Sequence, residues 1–137
     1  MTNILKINHV AIAVNDMDEA MSFWRDILEI PLDHIEDVPS QKSKVAFFPI
    51  GDSEVELVMP TAADTGLAKY LEKRGPGMHH LCLEVEDIDA SLVALKEKGV
   101  RLIDQVAQVL AGRKMAFIHP KSTGGVLVEL YELISEG

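Results

Sequence analysis

Three stretches of the chain alternate apolar and polar residues with the period of a strand: INHVAIAV (7–14), KVAFFPI (44–50) and EVELVM (54–59). The IGDS segment between the last two reads as a tight turn, so this pair is predicted to form a hairpin. Between the first strand and the hairpin, NDMDEAMSFWRDILEI sets Met17, Ala20, Met21, Trp24, Ile27 and Leu28 at helical spacing. Asp16 stands where an N-cap belongs, with Glu19 three residues on. An amphipathic helix is predicted, its apolar stripe turned to the core with Trp24 in it.

The second half repeats the order. A strand MHHLCLEV (78–85) precedes a helix EDIDASLVALKEK (86–98) that Gly99 closes, and the apolar runs RKMAFIHP (113–120) and GVLVELYE (125–132) follow. Each half is read as β-α-β-β-β, with three of its four strands marked by these runs. An offset of 71 residues lays His9 on His80, Val14 on Val85, Asp16 on Asp87 and Asp18 on Asp89; two residues of extra length later, Glu56 falls on Glu129, each within a Val-Glu-Leu triplet. The linking stretch TAADTGLAKYLEKRG (61–75) is predicted to hold a helix from about 64 to 73.

The repeat separates the two adjacent histidines of GPGMHHLCLEVEDID. His80 has a histidine partner in the first half, whereas His79 falls on Asn8. Strand parity agrees: Val10, Ile12 and Val14 share one face and His9, Ala11 and Ala13 the other, while Leu81, Leu83 and Val85 oppose His80, Cys82 and Glu84. The helices should cover the Val/Ile and Leu/Val faces. Glu56 opposes Val55 and Leu57, and Glu129 opposes Val128 and Leu130, so both carboxylates turn away from the helices, as His9 and His80 do. Taken singly, each is a solvated or polar-face residue; four at equivalent places are a candidate site.

Two imidazoles and two carboxylates suit a divalent transition ion and leave coordination positions open. Zinc, manganese, iron, cobalt and nickel all fit. An ion with open positions can hold neighbouring carbonyl oxygens and stabilise an enolate, which makes proton abstraction beside a carbonyl the natural chemistry, with a carboxylate as base.

Composition narrows the partners. At 137 residues the chain has the size of one domain, and its single cysteine, Cys82, forms no internal disulfide and suits a reducing compartment. The start of the chain, MTNILKINH, has no signal-peptide core, and no run approaches the ~18 apolar residues of a membrane span. A soluble, cytoplasmic protein is expected. Thirteen basic against 22 acidic residues give a net charge of −9, which disfavours nucleic acid and anionic membranes. A polyanionic ligand would need a local basic patch, and QKSK (41–44), GRK (112–114) and Lys121 are the candidates. Cys82 is expected as a small buried hydrophobe, and His34 and His119, which lack histidine counterparts in the repeat, as structural or surface residues.

HVAIAV followed by DMDEA, then GPGMHHLCLEVEDIDA and HPKSTGGVLVELYE, together resemble the vicinal oxygen chelate (glyoxalase/bleomycin resistance) superfamily, and within it the methylmalonyl-CoA epimerase family. The resemblance spans nearly the whole chain. It implies an α+β fold in which two paired βαβββ modules form a curved mixed sheet around a metal-binding cleft. One domain, 1–137, would hold module one at about 5–60, the connecting helix at about 61–75 and module two at about 76–133. It further implies a homodimer with one divalent ion per site, cobalt or manganese favoured and zinc or nickel possible, and epimerisation at C2 of an acyl-CoA through a metal-stabilised enolate. His9, Glu56, His80 and Glu129 stand at the family's ligand positions, and Glu129 matches one of its two proton-transfer carboxylates. Where the family usually carries the other, just after a proline, VPSQKSKVAFF has Ser40. The same ligand set is compatible with a lactoylglutathione lyase-type isomerase, and the fold with a non-catalytic antibiotic-binding protein.

Overall fold

The structure is a computed structural model that describes residues 2–134. The chain divides into two units, one of His9–His79, the other of the stretch up to Asn8 together with the chain from His80 onward.

In the first unit the elements are β1 (Ile4–Ala13, of which His9–Ala13 lie here), α1 (Met17–Met21), β2 (His34–Val38), β3 (Ser43–Ile50), β4 (Ser53–Pro60) and α2 (Gly66–Arg74). The strands follow the order β2-β3-β4-β1, with β2–β3 and β3–β4 antiparallel and β4–β1 parallel. Alternation puts Ile12, Val14, Leu57, Ala46 and Phe48 on one face, where Met17, Met21, Ala20 and Trp24 of the helical segment cover them. The Val/Ile face is therefore the one under α1, as its pattern predicts. The opposite face is covered in part too: Ala11, Ala13, Val45 and Val58 pack with Leu67, Tyr70 and Leu71 of α2.

The first helix departs from its sequence pattern. After Met21 the backbone widens into a π-helical turn over Ser22–Ile27, with Leu28 N bonding Phe23 O at 2.8 Å. A wider turn rotates the following side chains off a 3.6-residue stripe. Ile27 and Leu28, expected in the core, are exposed, at 70% and 46%.

The second unit repeats the topology with β5 (Gly77–Val85, of which His80–Val85 lie here), α3 (Ile88–Glu97), β6 (Gln108–Leu110), β7 (Arg113–Ile118) and β8 (Val128–Leu133). Its order is β5-β8-β7-β6, again with one parallel ladder, β5–β8. Val85, Ile88, Leu92, Ala116, Ile118 and Leu130 form its core, with Leu83 and Leu95 against them. Among the described residues no helix is long and apolar enough to cross a membrane.

The aspartates paired by the repeat have one physical role. Asp16 and Asp87 sit in extended backbone and accept from Glu19 N and Ala90 N, both at 3.1 Å, which satisfies a backbone donor that each helix start leaves open. Asp16→Ala and Asp87→Ala should each cost about 1 kcal/mol in urea unfolding, with serine at either position retaining most of it. Loss of equal size in the serine variants would show that the cap bond is not the source.

Candidate active site

His9 and Glu56 belong to the first unit, on the parallel β1 and β4. The register sets Ala11 opposite Glu56, so His9, two residues earlier on the same face, reaches the carboxylate diagonally: His9 Nδ1 lies 3.0 Å from Glu56 Oε2. In the second unit Cys82 stands opposite Glu129, His80 is again two residues earlier, and His80 Nε2 lies 3.1 Å from Glu129 Oε1. The two units thus build the same His–carboxylate pair from the same register. All four side chains are largely shielded, with 3% and 12% exposure in the first pair and 10% and 6% in the second. An imidazole nitrogen and a carboxylate oxygen held this close, out of bulk water, form a nitrogen/oxygen donor set that fits a divalent first-row ion. Phe117 backs His80 edge-on at 5.4 Å between ring centroids, which restricts the ring.

His79 goes elsewhere. It belongs to the first unit, and its ring meets the Tyr70 ring of α2 edge-on at 4.9 Å. His34 is half exposed, stacks on Phe47 at 4.4 Å and holds Asp33 Oδ2 at 2.6 Å from Nδ1. His119 Nδ1 accepts from Lys121 N at 3.0 Å. The surface and structural roles expected of these two agree with their surroundings.

Two residues gain importance beyond the sequence reading. Cys82 is fully buried, as a small hydrophobe should be, but its sulfur also lies within 4.8 Å of a Glu129 ligand atom. Glu54 lies directly opposite His9 on β4, on the face of Glu56. Burial, and then the neighbouring Glu56 charge, raise its pKa above the usual carboxylate value. The repeat could not flag it, because its counterpart two residues before Glu129 is Leu127. Parity with Glu56 along EVELVM was the available signal.

Ser40 is exposed in a short 3-10 turn, Pro39–Gln41, after β2. The register pairs Glu36 with Val45 and Asp37 with Lys44. Val45 packs beside Ala11 and Ala13, so Glu36 lies on the His9/Glu56 face and Asp37 on the α1 face.

Residues 8–117 match the Glyoxalase/Bleomycin resistance protein/Dioxygenase superfamily. A Mus musculus protein named methylmalonyl-CoA epimerase, mitochondrial, is 39% identical over 127 residues, 91% of this chain and 71% of that protein. The crystal structure of methylmalonyl-CoA epimerase from Mycobacterium tuberculosis superposes with a TM-score of 0.91 at 34% identity, covering 99% of this chain and 93% of that one. A methylmalonyl-CoA epimerase in complex with methylmalonyl-CoA and NH4+ gives a TM-score of 0.90 at 31% identity, with 97% of both chains covered.

Proposed function

We propose, since this chain belongs to the glyoxalase/bleomycin resistance protein/dioxygenase superfamily, that it epimerises methylmalonyl-CoA by moving the proton at C2. The observation that carries the reading is the shielded His–Glu pair repeated in each unit, at 3.0 and 3.1 Å, in a chain similar over most of its length to named epimerases. His9, Glu56, His80 and Glu129 are the proposed ligands of one divalent ion, cobalt or manganese in preference to zinc or nickel. Bound there, the ion would supply a positive charge to balance the negative charge that builds on the thioester oxygen as C2 loses its proton.

The protein's own part is orientation and proton transfer. Phe117 restricts the His80 ring, and the paired imidazoles restrict both carboxylates. Glu129, 5% exposed and with its Oε1 3.1 Å from His80 Nε2, is the proposed base. A homodimer and a cytoplasmic setting complete the proposal. Ile4 and Leu5, each more than half exposed, offer apolar surface for the former, and the single, reduced, buried Cys82 suits the latter.

Purified protein given methylmalonyl-CoA in deuterated water should incorporate deuterium at C2. Failure to exchange C2 while converting the glutathione hemithioacetal of methylglyoxal would replace this reading with the lactoylglutathione lyase type.

Ser40 makes a further prediction. Inversion needs a proton delivered to the face of C2 opposite the one it left, and a hydroxyl without an activating base is a poor acid–base group at neutral pH. Exchange at C2 should therefore run faster than inversion, and Ser40→Glu should narrow the gap. If Glu36, on the His9/Glu56 face, takes the second role, Glu36→Gln should widen the gap and Asp37→Asn should not. Deuterium content and chirality followed in parallel decide it. Inversion that keeps pace with exchange in the wild type, and slows in Ser40→Glu, would show that Ser40 is no lapsed base position.

A further inference from the structure

In two of the three basic stretches a lysine is paired with an aspartate. Lys42 Nζ lies 3.1 Å from Asp64 Oδ2, and Lys114 Nζ lies 2.9 Å from Asp89 Oδ2. Arg113 adjoins the Tyr131 ring face at 5.8 Å.

The third stretch differs. In the second unit Arg101 and Lys121 are both exposed, and the ion pairs of the described residues include neither. Backbone bonds hold them to one turn after β7. His119 N donates to Arg101 O at 2.9 Å, Arg101 N donates to Ser122 Oγ at 2.8 Å, and Lys121 N donates to His119 Nδ1 at 3.0 Å. Gly125 N closes the turn onto Pro120 O at 2.9 Å, with Gly124 and Gly125 at φ of 78° and 104°, in the region that favours glycine. The backbones of two exposed cationic residues are therefore tied to the turn that carries the His119 imidazole, in a chain whose net charge is −9. Burial, then Arg101, then Lys121 push the His119 pKa below its usual value, so the charges acting on the ring are cationic. Because Nδ1 accepts a backbone N–H, the neutral ring carries its proton on Nε2 and remains a donor. An unbalanced cationic turn with three side chains able to donate is suited to phosphate.

We propose that Arg101, His119 and Lys121 bind the phosphate groups of the coenzyme A portion of the substrate. The choice of coenzyme A rests on the epimerase reading. The turn runs directly into β8, whose second residue is Glu129, so one segment carries both the phosphate donors and the proposed base.

The test is calorimetric titration of the full chain with free coenzyme A, which needs no turnover, beside a titration with methylmalonyl-pantetheine, which has no phosphate. In the double variant Arg101→Glu/Lys121→Glu, coenzyme A affinity should fall at least about tenfold, as loss of charge-assisted bonds predicts. The deficit should shrink as NaCl is raised, and pantetheine affinity should change less than about twofold, with the thermal melt unaltered. A double variant that binds coenzyme A like wild type, or that loses both ligands equally, overturns the proposal. Wild type that exchanges the C2 proton while the double variant keeps full coenzyme A affinity overturns this site and leaves the epimerase reading standing. Wild type that never exchanges C2 but binds coenzyme A tenfold better than the double variant supports the site and sinks the epimerase reading.

Discussion

His80→Ala should strip the protein of cobalt, and His79→Ala should leave it loaded. The two residues are neighbours in sequence, similar in chemistry and alike in strand context, so composition and general destabilisation cannot separate them. Their partners can: His80 Nε2 lies 3.1 Å from Glu129 Oε1, whereas the His79 ring packs edge-on against Tyr70. Removing an imidazole ligand should lower affinity by at least the roughly hundredfold upper range of changes one step further from the metal. Alanine at 79 gives up the edge-on contact with Tyr70, worth about 0.5–1.5 kcal/mol, and no proposed ligand. Cobalt content after reconstitution and dialysis, measured for both variants with their melting curves, gives the answer. Equal depletion in both, or a wild type that takes up no cobalt, would remove His80 from the proposed ligand set.

That distinction was legible in the sequence because the chain is a duplication. A repeat-equivalent position tells which of two adjacent histidines takes the place in its unit that His9 takes in the other, and period-2 alternation assigns it a face of its own strand. The register then explains why the pairs match: Ala11 opposite Glu56 and Cys82 opposite Glu129 are one arrangement made twice. The aspartate caps were legible for the same reason. What escaped has physical causes. β2 and β6 are edge strands, mostly exposed, so nothing forces apolar residues into alternation. The π-helical turn after Met21 breaks the period on which Ile27 and Leu28 were assigned to the core. Glu54 has no acidic counterpart in the second half, where Leu127 takes its place. Arg101 is 20 residues before Lys121 in the chain and meets its turn through bonds of the folded state to His119 N and Ser122 Oγ.

Glu129→Gln should lower C2 exchange at least about a hundredfold, the scale on which a positioned general base contributes. Glutamine is nearly isosteric with glutamate, and its amide oxygen remains a neutral donor to a metal while its NH2 can donate to the His80 ring. What it lacks is a site basic enough to take a proton. The substitution therefore leaves the β5–β8 register and the Leu130 side of β8 undisturbed, and changes chemistry at one buried atom pair. If Glu129 takes the proton, its contribution exists only in the transition state, so kcat and kcat/KM should fall together while coenzyme A affinity and the melting curve stay put. A ligand role alone predicts a different pattern, in which cobalt content falls in step with activity and excess cobalt restores the rate. Exchange that continues at the wild-type rate in a metal-loaded Glu129→Gln protein would take Glu129 out of the proton transfer and turn attention to Glu36, Glu54 and Glu56, carboxylates on the His9 face.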